Sequence, residues 1–286
     1  MPELIIRPRT LKELWKILPT ISAKRKYLAG GTDLVTAANA GFDACDAWVD
    51  ISGLKELQSV KETKTSVLIG AGVRIAGLEA WGAVRRWLPV LTAAIPHFAS
   101  PSLRNMATVG GNAANASPCA DAVCALCAER AEVILELKGK KRRLPLSALF
   151  KGPKQTGIKK DELITAFEVP KWPHTGAYLK LGPRAYFGIS KAAVALAIEL
   201  DGDKIKSASV ALASVAPVPL MAVKTAGCIT GRILSPETAR AAAALVKTEV
   251  SPITDARSDA DYRREMCGVL LERALLGCEE RLKAEG

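Results

Sequence analysis

Two glycine-rich segments constrain the fold of this chain more than any other feature of its sequence. In residues 28–34, two consecutive glycines follow a short apolar run and precede a helical pattern. Residues 108–121 combine a second glycine pair with amides, hydroxyls and a carboxylate, and contain almost nothing that could build a core. Consecutive glycines permit positive φ angles and close approach of a ligand, and successive N–H groups in such turns form concave anion sites. Both segments are therefore candidate anion-binding loops.

Each segment also has a purely structural explanation. Residues 28–34 fit a plain strand-to-helix turn, and residues 108–121 fit a long polar surface loop. Neither segment is a G-x-G-x-x-G fingerprint or a Walker P-loop. A ligand contacted by two such loops would be long and extended, which favours a dinucleotide lying between two subdomains. Arg104, shortly before the second segment, is a candidate phosphate partner.

The pattern of secondary structure changes at about residue 170. Strand and helix patterns alternate before it, which predicts α/β layering. After it, the apolar run 192–200, the turn signal Asp201-Gly202 and the alternating run 205–212 predict an antiparallel hairpin. Two helices are expected to close the chain, the first of them beginning at Ser235-Pro236. The sequence thus predicts an α/β region followed by a smaller α+β region.

Charge is the most unusual part of the composition. The 286 residues contain 40 Lys and Arg against 29 Asp and Glu, a formal net charge of +11. Such a surplus is compatible with nucleic acid, a membrane surface, an acidic partner or a plain basic surface. The basic run 138–143 lies between apolar stretches and lacks interleaved aromatic residues, so a solvated hairpin is favoured and no nucleic-acid partner is predicted. Without a signal-peptide pattern or an apolar run of about 20 residues, we expect no membrane span and a cytoplasmic location.

The seven cysteines and two histidines do not define a metal site. Cys119, Cys124 and Cys127 have the C-x₄-C-x₂-C spacing of plant-type [2Fe–2S] ligands. Two of them fall on a predicted helix, whereas cluster ligands usually come from a loop, so buried free thiols are favoured and no metal is assigned. No paired carboxylates and no Ser–His–Asp set are visible, and no catalytic residue is predicted. Any redox chemistry would be that of a cofactor.

In combination, the two glycine-rich segments resemble the FAD-binding medium subunit of the molybdenum hydroxylases. This family includes carbon monoxide dehydrogenase, 4-hydroxybenzoyl-CoA reductase and xanthine dehydrogenase. The order of the motifs matches over essentially the whole chain. The resemblance is carried by Ala29-Gly30-Gly31-Thr32-Asp33-Leu34, Ser102-Leu103-Arg104-Asn105, Thr108-Val109-Gly110-Gly111-Asn112 and Ser117-Pro118-Cys119-Ala120-Asp121, with further agreement at Ile69-Gly70-Ala71-Gly72-Val73, Leu78-Glu79, Tyr178-Leu179-Lys180-Leu181-Gly182 and Ile189-Ser190-Lys191.

The resemblance implies an α+β protein with two domains. The first, residues 1–172, would be a two-subdomain α/β FAD-binding domain of the PCMH type, divided at about residue 55 into subdomains 1–55 and 56–172. The second, residues 173–286, would be a smaller α+β C-terminal flavoprotein domain with an antiparallel sheet and helices.

It also implies where FAD binds. The two loops would cradle the pyrophosphate, Ser117 and Asp121 would anchor the ribityl and adenosine parts, and Lys191 would lie near the pyrimidine edge of the flavin. A cation there stabilises the negative charge of reduced flavin; without the resemblance, Lys191 equally fits an exposed lysine at the start of a strand. The expected cofactor-binding residues are Leu28, Ala29, Gly30, Gly31, Thr32, Asp33, Leu34, Arg104, Thr108, Gly110, Gly111, Asn112, Ser117, Asp121 and Lys191.

The implied activity is that of an oxidoreductase subunit. An FAD-carrying electron-transfer subunit would accept electrons from a small iron–sulfur subunit and pass them to an external acceptor, while substrate is hydroxylated on a large molybdopterin subunit. A dimer of heterotrimers is expected. Residues 186–188 depart from the xanthine dehydrogenase branch, which argues against NAD as the acceptor. A nucleotide-binding non-catalytic or assembly protein is the alternative.

Overall fold

Three hydrophobic cores organise the chain in the computed structural model, which describes residues 2, 4–42, 45–184 and 187–285. The first core lies beneath a three-stranded parallel sheet of order β1-β3-β2. Its elements are β1 (Leu4–Ile6), α1 (Leu11–Ile17), β2 (Arg25–Leu28), α2 (Leu34–Asn39) and β3 (Ala47–Asp50). This region is an α/β unit, as expected.

Helix α1 shows why the local sequence folds as it does. The Thr10 hydroxyl accepts a hydrogen bond from the Glu13 N–H at 3.1 Å, and the Glu13 carboxylate accepts one from the Arg9 N–H at 2.8 Å. Both bonds satisfy donors that a helix N-terminus leaves unpaired. Leu14 faces the core, and the helix gives way to a 3₁₀ turn that contains Pro19.

The second core lies under a five-stranded sheet of order β4-β5-β10-β6-β7, in which every pairing is antiparallel. Strand β10 is its centre and joins β5 to β6. The elements are β4 (Val60–Glu62), β5 (Ser66–Gly70), α3 (Gly82–Trp87), α4 (Pro89–Ala94), α5 (Pro101–Arg104), α6 (Val109–Ala114), α7 (Asp121–Ala128), β6 (Glu132–Leu137), β7 (Lys140–Pro145), β8 (Phe150–Gly152), β9 (Gln155–Thr156) and β10 (Leu163–Pro170).

The basic run forms the β6–β7 hairpin, which confirms the predicted solvated hairpin. Lys138 and Gly139 make its turn with φ angles of 50° and 82°. Its cations face carboxylates of the same sheet, in the pairs Lys141–Glu136 (3.5 Å), Arg142–Glu162 (2.6 Å) and Arg143–Glu168 (2.5 Å). Three cations of this run are therefore paired with carboxylates of the same chain at the protein surface.

The third core belongs to the C-terminal domain, a four-stranded antiparallel sheet of order β11-β12-β13-β14 covered by helices. The predicted hairpin is confirmed as β12 and β13, with Gly202 at φ 60° in the turn. The Ser235 hydroxyl caps α9 by accepting from the Thr238 N–H. The elements are β11 (Thr175–Leu181), β12 (Ala192–Asp201), β13 (Lys204–Ala213), β14 (Leu220–Met221), α8 (Val223–Ile229), α9 (Pro236–Glu249) and α10 (Ala260–Glu285).

Strand β12 separates two cores because its alternate side chains point to opposite faces of the sheet. Ala193, Ala195 and Ala197 join the second core, under the five-stranded sheet, where α7 packs against β12 and β13. Val194 and Leu196 join the core formed with α9 and α10. Small side chains on the first face allow α7, all eight of whose residues are buried, to approach the sheet closely.

The segment between the two domains is fastened to the C-terminal end of α7. His174 Nε2 lies 2.6 Å from a carboxylate oxygen of Glu129, and neither side chain is more than 1% exposed. The other Glu129 oxygen accepts from the N–H of Val90 at 2.8 Å. Trp172 stacks on the His174 ring at 4.1 Å, and the Arg130 guanidinium lies 3.8 Å above Trp172 on its other side. Residues 129 and 130 thus hold the linker by a buried polar contact and by stacking.

The fold class is confirmed as α+β, with helices packed on one parallel and several antiparallel sheets and an antiparallel C-terminal domain. The exact domain boundaries stay a prediction. Across the described ranges, no helix is both long and apolar enough to span a bilayer.

Candidate functional site

The two glycine-rich segments meet in space at the end of β2. A Cβ atom on Gly30 would lie 2.1 Å from the carbonyl oxygen of Met106, so glycine is required there by the approach of the second loop. Gly31 has a φ of 72°, a left-handed conformation that side chains disfavour. The first loop owes its two glycines to these different constraints.

The first loop offers free hydrogen-bond donors. Within the described residues, the N–H groups of Gly30, Gly31, Thr32 and Asp33 donate to no protein acceptor. Successive amides without partners in a glycine-rich turn suit the oxygens of an anion such as a pyrophosphate.

The second loop uses its amides internally, in contrast to the expectation that both loops present them to a ligand. The Gly110 N–H donates to Ala71 O at 2.8 Å, and the Gly111 N–H donates to Thr108 Oγ1 at 3.0 Å. The first bond docks the start of α6 beside the end of β5, and the second caps α6. The Thr108 hydroxyl accepts one of them and still has its own hydrogen to donate.

A polar bridge connects the loops on one side. Asn115 Nδ2 donates to an Asp33 carboxylate oxygen at 2.8 Å, and Lys154 Nζ donates to the amide oxygen of Asn115 at 2.6 Å. Lys154 is also 3.9 Å from Asp33. Sequence reasoning missed Lys154 because it comes from the β8–β9 turn, which carries no motif of its own.

Two cavities flank the place where the loops meet. The first cavity, about 780 Å³, lies between the parallel sheet and the five-stranded sheet. The second cavity, about 600 Å³, runs along the first loop to Phe98 and Lys154. Both are lined by Tyr27, Ala29, Gly30, Thr108, Gly111 and Ala114, so they form one groove, called here the two-loop groove. Two joined cavities suit a ligand that is longer than either cavity alone.

The groove has the chemistry that a dinucleotide needs. Cations line it, with Arg74 and Lys159 in the first cavity and Lys154 in the second. The Tyr27 hydroxyl is buried beside it without a hydrogen-bond partner among the described residues. Free loop amides, cations and an orphaned hydroxyl together fit FAD.

Most of the predicted residues line the two-loop groove. They are Ala29, Gly30, Gly31, Thr32, Asp33, Leu34, Thr108, Gly110, Gly111 and Asn112. The groove lining does not include Leu28, Arg104, Ser117, Asp121 or Lys191.

Arg104 and Ser117 are engaged by backbone groups. The Arg104 guanidinium donates to the carbonyl oxygens of Phe98 at 2.8 Å and Ala99 at 3.2 Å. The Ser117 hydroxyl accepts from the N–H of Cys119 at 3.3 Å. Both side chains order the segments that flank the second loop.

Asp121 connects the two domains. Its buried carboxylate accepts from the Tyr178 hydroxyl at 2.6 Å and from Lys180 Nζ at 2.7 Å, both on β11. Burial raises the pKa of Asp121, and the charge of Lys180 acts in the opposite direction. Lys180 also donates to His97 O at 2.9 Å, next to the end of the second cavity at Phe98.

Lys191 lies at the start of β12 with its Nζ 5.5 Å from the centre of the Tyr262 ring. Its predicted position beside the flavin stays a prediction. Tyr186, part of the segment used to argue against NAD, lies outside the described residues.

The cysteines of the C-x₄-C-x₂-C spacing do not share a loop. Cys124 and Cys127 are buried within α7, where desolvation raises the pKa of both thiols, that of Cys127 to about 12. Within the part of the chain that the structure describes, no group of His, Cys, Asp and Glu side chains is arranged to hold a metal ion.

Comparison with known proteins agrees with this geometry. Residues 2–172 match the family described as the FAD binding domain in molybdopterin dehydrogenase, and residues 177–278 match the CO dehydrogenase flavoprotein C-terminal domain. The chain belongs to the family of molybdenum hydroxylase FAD-binding subunits. As a member, this subunit is the flavoprotein component of an oxidoreductase, and FAD is its cofactor.

Relatives resemble the FAD-binding subunit along nearly its whole length. The glyceraldehyde dehydrogenase medium chain of Sulfolobus acidocaldarius is 31% identical over 94% of this chain and 95% of the relative. The carbon monoxide dehydrogenase medium chain of Afipia carboxidovorans is 30% identical over 97% and 96%. A solved structure of Cu,Mo-CO dehydrogenase in its cyanide-inactivated form contains a chain with a TM-score of 0.92, 30% identity and 100% coverage of both chains.

Proposed function

We propose that this subunit accepts electrons from an iron–sulfur partner and passes them through FAD to an external acceptor, while a separate molybdopterin subunit hydroxylates the substrate. The observation that carries the proposal is the two-loop groove, with its free amides, in a member of this family. Bound FAD supplies the redox chemistry, since flavins transfer electrons singly or in pairs. The protein contributes binding, orientation and electrostatics.

The groove suggests how FAD is placed. Its pyrophosphate would lie against the amides of residues 30–33, with the Thr108 hydroxyl as a further donor. The flavin half would occupy the second cavity, because that cavity is lined by Phe98, next to the contact between His97 and the C-terminal domain. The adenosine half would then occupy the first cavity, between the two sheets.

Ser117 and Asp121 do not line the groove, so in this placement they would act on FAD indirectly, through the second loop. The Asn112 side chain, which lines the second cavity, accepts from the N–H of Val123 in α7 at 3.3 Å. Asp121 holds the first turn of α7 to β11. We propose that this chain of contacts fixes Asn112 relative to the C-terminal domain, and so to the flavin.

The proposed partners are a small iron–sulfur subunit and a large molybdopterin subunit, in a dimer of heterotrimers. Relatives named medium chains of dehydrogenases support an assembly of several subunits. The net charge of +11 supports docking to an acidic partner, since opposite charges steer association.

Co-purification followed by rapid reduction tests the proposal. The chain isolated with its partners should show flavin absorbance that bleaches when the substrate of the complex is added under anaerobic conditions, and the chain alone should not bleach. A folded chain that cannot be reconstituted with FAD would contradict the placement of the cofactor. Flavin that stays oxidised in an active complex would instead support a nucleotide-binding assembly role.

A further inference from the structure

The Tyr27 hydroxyl is the least explained polar group at the two-loop groove. Tyr27 lies on β2 and lines both cavities, and only Leu28 and Ala29 separate it from the first free amide of the loop. Its oxygen is buried and has no hydrogen-bond partner among the described residues. Buried polar atoms are nearly always hydrogen-bonded, so an orphaned hydroxyl beside a ligand groove indicates a partner on the ligand.

The surrounding charged residues do not supply an acceptor. Arg25 donates to the carbonyl oxygens of Ile21 at 3.0 Å and Ser22 at 2.9 Å, and pairs with Asp161. Arg25 is near enough to influence Tyr27, but a guanidinium carries only donors. It can face the phenol oxygen and still leave the phenol hydrogen without an acceptor. Asp161, the carboxylate in this cluster, pairs with Arg25 through one oxygen and accepts no hydrogen bond from Tyr27.

Burial also fixes the protonation state of the phenol. Desolvation raises the pKa of Tyr27 to about 12, against the opposing influence of Arg25. The hydroxyl is therefore neutral at physiological pH and acts as a donor. Its missing partner is a hydrogen-bond acceptor.

We propose that the Tyr27 hydroxyl donates a hydrogen bond to the adenosine monophosphate half of FAD and helps the subunit to distinguish FAD from FMN, which lacks that half. The inference rests on the proposed placement of FAD in the two-loop groove. In that placement, Tyr27 lies where the first cavity joins the amides that face the pyrophosphate. The adenosine-side phosphate, the ribose and the adenine all offer acceptors there, and FMN contains none of them.

Tyr27→Phe in the full-length chain tests the proposal after FAD has been removed. Calorimetric titration should show FAD and ADP weakened by the same factor, about fivefold to tenfold, the worth of one neutral hydrogen bond. FMN should bind as it does to the wild-type chain. The cofactor-free variant should be at least as heat-stable as wild type, since the substitution removes a buried hydroxyl without a partner. If the Tyr27 hydroxyl only stabilised the fold, the cofactor-free variant would unfold at a lower temperature than wild type.

Two further variants separate the possible failures. Tyr262→Phe removes a hydroxyl outside the groove and keeps the ring that faces Lys191, so it should leave every affinity unchanged. Gly111→Val fills the groove itself and should abolish FAD binding.

Each other result overturns a defined step. If Gly111→Val loses FAD while Tyr27→Phe binds it normally, the Tyr27 contact is wrong and the placement stands. If Tyr27→Phe weakens FMN but not ADP, the hydroxyl contacts the flavin half instead. If Gly111→Val retains FAD, the placement is wrong, and the Tyr27 contact with it.

Discussion

Gly110 and Gly111 are neighbours in sequence but serve different ends. A Cβ atom on Gly110 would lie 2.7 Å from the Ala71 side chain and 2.8 Å from its carbonyl oxygen, inside the protein. A Cβ on Gly111 would meet only the Thr108 hydroxyl among the described residues, at 2.9 Å, and Gly111 lines both cavities. The first glycine serves packing and the second leaves room for the ligand.

Substituting valine at these two positions should therefore give two phenotypes. We expect Gly111→Val to remain folded and to lose FAD, and Gly110→Val to unfold at a clearly lower temperature, because overpacking displaces backbone. Thermal unfolding without FAD, combined with flavin content after gel filtration, distinguishes the two. Normal flavin occupancy in Gly111→Val would refute its assignment to the groove.

At the scale of single residues, the sequence predicts the two glycine-rich loops better than the other residues that line the groove. Gly30, Gly31 and Thr108 are visible because glycine pairs and a capping hydroxyl have local signatures. Lys154 and Tyr27 are not, since they reach the groove from a hairpin and a strand without motifs. Which amides remain free depends on tertiary contacts such as that of Gly110 with Ala71, and no local pattern encodes these.

Among the helices, α7 does the most to join the domains. Glu129 follows it, accepts backbone N–H groups of α4 and contacts His174 from the linker, all without exposure to solvent. Removing the Glu129 carboxylate leaves the buried N–H groups of α4 without their acceptor, and an unsatisfied buried donor costs about 1–3 kcal/mol. Glu129→Ala should therefore destabilise the subunit by about that amount.

Urea unfolding of Glu129→Ala measures this effect. Glu237→Ala is the matched control, since its partner Arg240 and Glu237 itself are both largely exposed and exposed pairs contribute little. Equal unfolding curves for the two variants would show that the buried contact does not fasten the domains.

The thiols of α7 provide a second prediction at the scale of elements. Only thiolates react readily, and burial raises the pKa of Cys124 and Cys127. Alkylation of the native chain should label the partly exposed Cys45, Cys119 and Cys228 and spare those in α7, even at mildly alkaline pH, until the protein is unfolded. Peptide mass mapping reads this out, and rapid labelling of Cys127 would contradict its burial.

Elements that pair locally are also those that the sequence predicts. The β12–β13 hairpin and the capped helices α1 and α9 follow from turn and capping residues a few positions apart. Strand β10 is different, because it pairs with β5, and Val169 lies opposite Val67 about a hundred residues away. Its central place, and the antiparallel direction of that sheet, follow from packing and not from a local pattern.

For the whole molecule, the structure reduces the number of roles that the net positive charge can have. The most basic run in the sequence is compensated by Glu136, Glu162 and Glu168, so it does not present a uniform cationic face. Nucleic-acid binding needs uncompensated cations along a backbone. The remaining surplus of +11 is better matched to an acidic protein partner or to the phosphates of FAD.

Binding to an acidic protein partner and binding to the phosphates of FAD should respond differently to salt. Rim charges at a protein interface are screened at distances beyond about 10 Å in roughly 0.1 M salt, whereas FAD is held by amides and hydrogen bonds within a groove. Raising the salt concentration should therefore release the iron–sulfur partner while flavin occupancy stays unchanged, with the loss of affinity arising mainly from slower association. Analytical ultracentrifugation at several salt concentrations, with flavin absorbance followed in the same runs, measures both. If flavin is lost at a lower salt concentration than the partner, the net positive charge serves mainly to bind the cofactor. If assembly does not depend on salt, the charge does not contribute to the interface.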